Sequence, residues 1–191
     1  MTLAASFASR RGYFAVSLAV LALDQATKLA ADAWLRGRGP RIVVPGFFNL
    51  WYSRNRGGLF GMLATLDDPF RFLLLTILPL AAVLAIAVFL ARTRESSRTS
   101  LWGLALILGG AAGNLLDRAL RGEVVDFLDA YVSHAPLAAW LSDRFGTAHW
   151  PTFNVADSAI VAGAGLLILD LLRPEPRPPE ERAERDAARR E

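Results

Sequence analysis

The chain has 191 residues, enough for one domain with a core of its own. Hydrophobic residues make up 53% of it and the mean hydropathy is +0.33, above what a water-soluble domain usually carries; the absence of cysteine excludes disulfides, thiolate metal sites and a cysteine nucleophile. The net charge of +3 reflects 21 Lys and Arg against 18 Asp and Glu, but the basic residues lie between apolar blocks and in the tail rather than in one stripe, which argues against a nucleic-acid partner.

The apolar residues fall into four blocks, each near the 20 or so residues that a membrane-spanning helix needs. In chain order they run roughly Tyr13–Leu35, Phe70–Ala91, Ser100–Leu120 and Phe153–Leu172. The first also has signs of a cleaved signal peptide: Arg10 and Arg11 ahead of an apolar run, and Ala31-Asp32-Ala33 as a cleavage-like site. Its continuation through Asp24, Gln25, Thr27 and Lys28 favours a retained span instead. Arg10 and Arg11, then Arg92, Arg94 and Arg98, then the arginines from Arg173 onward share one side if both termini are cytoplasmic. Arg36, Arg38, Arg41, Arg54 and Arg56 in the first outside connection run against this rule.

Between the first two spans, Arg41 to Leu63 is rich in β-branched and aromatic residues and punctuated by Pro45, Gly46, Gly57 and Gly58, which predicts short strands or a small sheet at the membrane surface. Between the last two, Phe127 to Trp150 mixes Tyr131, Trp140, Phe145 and Trp150 with polar residues and predicts an amphipathic piece in the interface. The organisation expected is a cytoplasmic segment 1–12, a single four-helix membrane domain over 13–172, and a charged, Pro-rich cytoplasmic tail over 173–191 that cannot bury a core.

Charged groups inside a span cost several kcal/mol each, so they require a reason. Asp24 and Lys28 share a helix face at four-residue spacing. They serve either as a neutralised pair that holds helices together or as groups that meet a substrate, and the spacing does not choose between these. Asp32, nearer the outer end, reads as solvated. In the third block, Gly109, Gly110 and Gly113 allow close helix approach. Asn114 and Arg118 then follow on one face, with Asp117 beside Arg118. Asp126 stands just past that block, and Asp157 one turn into the fourth with Asn154 three residues before it. The two acids therefore fall at similar depth near the outer surface. Taken singly, Asp157 suits a helix N-terminus and Asp126 a wet boundary; taken together they suggest a pair.

Two neighbouring carboxylates share one proton because their charges repel. The ionised member then takes a proton from water and the protonated member donates one, which suffices for amide hydrolysis without metal, cofactor or covalent intermediate. His134 and His149 lack metal-ligand spacing and read as surface histidines. No nucleophile–His–acid set or Walker-type loop is present. A small proton-relay or transport protein, and an assembly subunit docking through its glycines and the Asp24–Lys28 pair, are the competing readings of the same residues.

Four runs, in order, resemble the lipoprotein signal peptidase (signal peptidase II) family: Asp24-Gln25-Ala26-Thr27-Lys28; Asn55-Arg56-Gly57-Gly58-Leu59-Phe60-Gly61; Gly109-Gly110-Ala111-Ala112-Gly113-Asn114-Leu115-Leu116-Asp117-Arg118 continuing to Gly122-Glu123-Val124-Val125-Asp126-Phe127; and Phe153-Asn154-Val155-Ala156-Asp157. Gly58 and Leu59 depart from the small residues usual in the family, which bears on subsite detail. The resemblance implies an all-α membrane protein with four transmembrane helices, a small extracytoplasmic β-cradle and a short interfacial helix. It implies a catalytic dyad of Asp126 and Asp157, supported by Asp24, Lys28, Asn55, Asn114, Asp117, Arg118 and Asn154, with no metal and no cofactor. The implied reaction is removal of the signal peptide from a diacylglyceryl-modified prolipoprotein, cut before the lipidated cysteine. Membrane lipid and globomycin-type inhibitors are the other implied partners, and a bacterial inner membrane with the site at its extracytoplasmic face is the implied location. One dyad per chain gives no catalytic need for a dimer. Arg118 and Asn55 are expected to hydrogen-bond the substrate backbone.

Overall fold

In the computed structural model of the chain, residues 10–57, 67–93 and 97–173 are described. The Gly58–Gly61 half of the second motif, with Leu59, lies outside them, as do most of the N-terminal segment and the tail from 174. Helix α1 spans Arg11–Leu35 and leads into the antiparallel strands β1 (Arg41–Val44) and β2 (Phe48–Asn55). Helix α2 covers Asp68–Arg92, with a π-helical turn at Leu73–Ile77 just before Pro79. That is where a proline, which lacks an N–H and crowds the preceding turn, disturbs helical hydrogen bonding. Helix α3 (Arg98–Arg121), strand β3 (Val124–Ala130), helix α4 (Ala135–Phe145) and helix α5 (Val155–Leu171) complete the order.

Helices α1, α2 and α3 are each long and apolar enough to cross a membrane; α5 has 17 residues. The expected blocks agree with these helices to within about two residues at each end, the precision at which helix ends fray.

Helix α3 is the centre of the bundle, with each of its faces given to a different neighbour. Towards α1, a Cβ on Gly109 would stand 2.5 Å from the Ser17 carbonyl oxygen, and the Ser17 hydroxyl donates to the Ala105 carbonyl at 2.8 Å. Towards α5, a Cβ on Gly110 would run into the Ala156 carbonyl oxygen. The reciprocal pair Gly103 and Gly163 brings the same two backbones together further down. Glycine here gains packing by letting backbones approach, the usual device between helices in lipid. Towards α2, Leu101 and Leu108 pack with Leu90, and Tyr13, Phe14, Val83, Ile86, Ala87 and Leu104 surround them.

The sheet has the order β1-β2-β3. Gly122, at φ 75°, closes α3 in the left-handed conformation that glycine adopts without penalty, and the chain enters β3 two residues later. Asp117 on α3 accepts the Val125 N–H at 3.1 Å, which fixes the start of β3 against the helix. The far edge of β3 is covered by the return to α5, where Phe153 and Leu128 exchange backbone hydrogen bonds. Helix α4 is exposed along most of its length, including Leu137, Trp140 and Phe145.

Candidate active site

Asp157 is placed by the first turn of α5. Asn154 is its N-cap and Asp157 its third residue, and the two form a reciprocal capping box. The Asn154 Oδ1 accepts the Asp157 N–H at 2.9 Å, and the Asp157 Oδ2 accepts the Asn154 N–H at 3.2 Å. Caps of this kind contribute about 1 kcal/mol. The same residues that start the helix thus orient one carboxylate.

Asp126 is placed by β3, where Val124, Val125, Asp126 and Phe127 are all buried. The Asn154 side-chain amide donates to its Oδ1 at 2.7 Å, and the Asn55 amide of β2 donates to its Oδ2 at 3.0 Å. Asn154 therefore touches both acids, one through its side chain and the other through its backbone. Burial, followed by the negative charge of Asp157, pushes the Asp126 carboxyl up to about 7; both causes favour the neutral acid.

Behind the acids lies a buried polar layer. Lys28 is fully buried, and its ammonium reaches Asp24 at 2.9 Å, Asp117 at 3.0 Å and the Asn114 Oδ1 at 2.9 Å. These are its three donors, all used. Asn114 passes this order forward, donating to the Asp157 Oδ1 at 2.7 Å and accepting from the Asn154 amide at 3.1 Å. Asp24 also accepts the Ala156 N–H at 3.0 Å, tying α1 to the second residue of α5. Every sequence-predicted residue of the set is thus accounted for here except Arg118. Its half-buried guanidinium makes no hydrogen bond or ion pair among the described residues, although the charges of Asp157, Asp126 and Asp117 all act on it.

Two residues of the layer escaped the sequence reading. Gln25 donates to Asp24, to the Gly113 carbonyl and to Asp117. Arg121 pairs with Asp117 and donates to Gln25. The excess of acid over base in Asp24, Asp117 and Lys28 was the available signal for a second cation. Asn55 is tied to the site's framework: its amide donates to Asp126 and its carbonyl oxygen accepts the Gly57 N–H. Asp32, read as solvated, accepts from the Tyr52 hydroxyl at 2.6 Å.

A separate cluster sits toward the hairpin end of the sheet. Buried Asp129 accepts from Asn49 at 3.1 Å and meets the exposed ring of His149 at 2.9 Å; that ring stacks on Tyr131. His149 is a surface histidine, as its setting suggested, but one with a buried acidic partner. Among the described residues no group of acids and histidines is arranged to hold a metal.

Residues 16–173 match the family model described as signal peptidase (SPase) II. The chain belongs to the signal peptidase II family. A lipoprotein signal peptidase of Solibacter usitatus is 44% identical over 162 residues, covering 85% of this chain and 91% of that protein. One of Geobacter metallireducens is 43% identical over 167 residues, covering 86% and 93%. A bacterial membrane enzyme solved by the in meso method superposes with a TM-score of 0.68 at 26% identity, covering 87% of this chain and 94% of its own.

Proposed function

We propose that this signal peptidase II removes signal peptides from diacylglyceryl-modified prolipoproteins, with Asp126 and Asp157 as the catalytic dyad. The observation that carries the assignment is the double contact of Asn154, which holds both carboxylates. One carboxyl keeps the shared proton and the other is ionised. The ionised member takes a proton from a water that attacks the carbonyl carbon ahead of the lipidated cysteine. The protonated member donates to the carbonyl oxygen. Collapse of the tetrahedral intermediate breaks the C–N bond, and the dyad returns a proton to the cysteine amine. Arg118, whose donors are uncommitted among the described residues, is the group to stabilise the developing oxyanion or to hold the neighbouring backbone.

The topology that fits this chemistry has four spans and both termini cytoplasmic. Helix α5 is the fourth span: at 17 residues it is at the short limit of about 17 to 25 that serve, and Val161, Ile168, Leu169 and Leu171 on it are exposed. The dyad then stands at the extracytoplasmic face of the bacterial inner membrane, with the sheet above it and α4 lying in the interface through Leu137, Trp140 and Phe145. A lipid-anchored precursor meets such a dyad without leaving the bilayer. One chain carries the whole site and works as a monomer, and a globomycin-type inhibitor competes for the same space.

The test uses purified protein with two precursors, one bearing diacylglyceryl on its cysteine and one unmodified. The lipidated precursor is expected to be cut immediately before that cysteine, and the unmodified one to remain whole. No cleavage of either would reject the peptidase assignment, and equal cleavage of both would reject the lipid requirement.

A further inference from the structure

The Asn55 amide reaches Asp126 from the last residue of β2. The end pair of a sheet opens most easily, because it has ladder neighbours on one side only. Asn55 faces Val124 in that end pair, and the chain leaves the sheet at Arg56. The Asn55 carbonyl oxygen accepts the Gly57 N–H at 3.0 Å, which turns the amide nitrogen towards Asp126. That bond orients the amide, but it lies within the same turn and does not fasten the strand end to its neighbour.

Glu123 stands directly ahead of β3 and is buried although it carries a charge. A buried carboxylate needs partners, and each of its oxygens has one. Arg54 bonds Oε1, and the Arg56 Nε reaches Oε2 at 2.9 Å. Side chains alternate along a strand, so Arg54 and Arg56 leave on one face and Asn55, between them, on the other. Arg54 also donates to the Tyr52 hydroxyl at 3.1 Å, and that hydroxyl donates to Asp32 of α1 at 2.6 Å. The Arg56 side chain is 74% exposed, and an ion pair so wet adds little to stability. Its effect is on position.

We propose that Glu123 is a positioning residue for the dyad: it grips the residues on either side of Asn55 and so keeps the Asn55 amide on Asp126. This role rests on the peptidase reading given above. The sign of its effect separates it from plain electrostatics. Asp126 feels the charges of Asp157 from α5, Lys28 from α1 and Arg118 from α3, with Arg54, Arg56 and Glu123 together at the adjoining end of the sheet. Neutralising Glu123 takes away one negative charge and leaves two positive ones uncompensated. Charge alone would then favour the ionised Asp126 and ease the loss of its proton. Releasing the Asn55 amide does the opposite, because that bond stabilises the carboxylate. With a clamp, Asp126 keeps its proton to higher pH when Glu123 is neutralised; with charge alone, it loses the proton at lower pH.

The test is Glu123→Gln in the full-length protein, with two readouts. One is the alkaline limb of kcat on the lipidated precursor. The other needs no turnover: the pH titration of the infrared carboxyl band that Asp126→Asn abolishes. Both are expected to move up by about half a unit to one unit, part of what a lost hydrogen bond to a charged group is worth. In an Asn55→Ala background the same change should give no upward shift of that band, because the bond it maintains is already gone. A downward or absent shift in the single variant overturns the proposal, and so does an equal upward shift in the Asn55→Ala background. If Glu123→Gln does not fold, Glu123→Gln combined with Arg56→Ala removes one charge of each sign and carries the test; an upward shift is expected, and its absence overturns the clamp. An unmutated protein that cuts no precursor would remove the peptidase reading, while the carboxyl band still decides whether Glu123 acts through Asn55.

Discussion

Asp126→Asn and Asp157→Asn are each expected to lower kcat on a lipid-modified precursor by at least about 1000-fold. The substitutions are nearly isosteric and leave the backbone bonds of β3 and the α5 cap in place. What they remove is the shared proton. With Asn at either position the pair no longer has both an acid and a base for the proposed reaction. Each change also sets an amide N–H against a donor, since both oxygens of Asp126 accept from Asn154 and Asn55 and both of Asp157 from Asn114 and Asn154. Thermal stability in detergent, read beside the kinetics, separates lost chemistry from lost fold. Turnover close to normal in either variant would reject the dyad.

Lys28→Met should produce the largest loss of stability of any single change in the polar layer. Lys28 and both of its acids, Asp24 and Asp117, are fully buried. Removing one partner of a buried ion pair costs about 3–5 kcal/mol because the abandoned charge has no solvent to turn to. Here two carboxylates lose their shared cation, and Arg121 on its own reaches only Asp117. Asn114 loses its bond from Lys28 in the same step and keeps only the Asn154 amide on its Oδ1, so its hold on Asp157 loosens. Folded protein recovered in detergent is expected to fall sharply, with activity falling at least in proportion. Adding Asp24→Asn and Asp117→Asn to Lys28→Met should restore part of the folded yield without restoring turnover, because the uncompensated charges are gone but the ordering of Asn114 is not rebuilt. A Lys28→Met protein of unchanged melting temperature would show that the layer is not electrostatically organised.

Much of this was readable from residue spacing. A run of 20 apolar residues is a one-dimensional signal, and so is an Asp–Lys pair at four-residue spacing; the α1, α2 and α3 helices and the Asp24–Lys28 pair follow from them. The glycines at 109, 110 and 113 announced close contact, although not that Gly109 and Gly113 face α1 while Gly110 faces α5. Gly103 and Gly163 escaped notice because each stands alone in its own segment and acquires meaning only from the other. The roles of Asn154 as N-cap and of Asp157 as third helical residue depend on where the helix begins, the boundary that sequence patterns locate least well. Arg121, Gln25 and the Asp129–His149 contact depend on tertiary placement across tens of residues. The π-helical turn of α2 at Leu73–Ile77 has a local cue in Pro79.

Asp126 and Asp157 are expected to titrate as one unit holding one proton, and the pH dependence of kcat on the lipidated precursor tests this most directly. With Asp126 pushed up to about 7 by burial and by its negative neighbour, the single-proton form is present below that value and disappears above it. The rate should therefore fall with rising pH through a limb centred within about one unit of 7, and fall again in acid as the second carboxylate becomes protonated. A rate that climbs steadily through alkaline pH, or that depends on a single ionisation, would mean that the two aspartates do not share a proton.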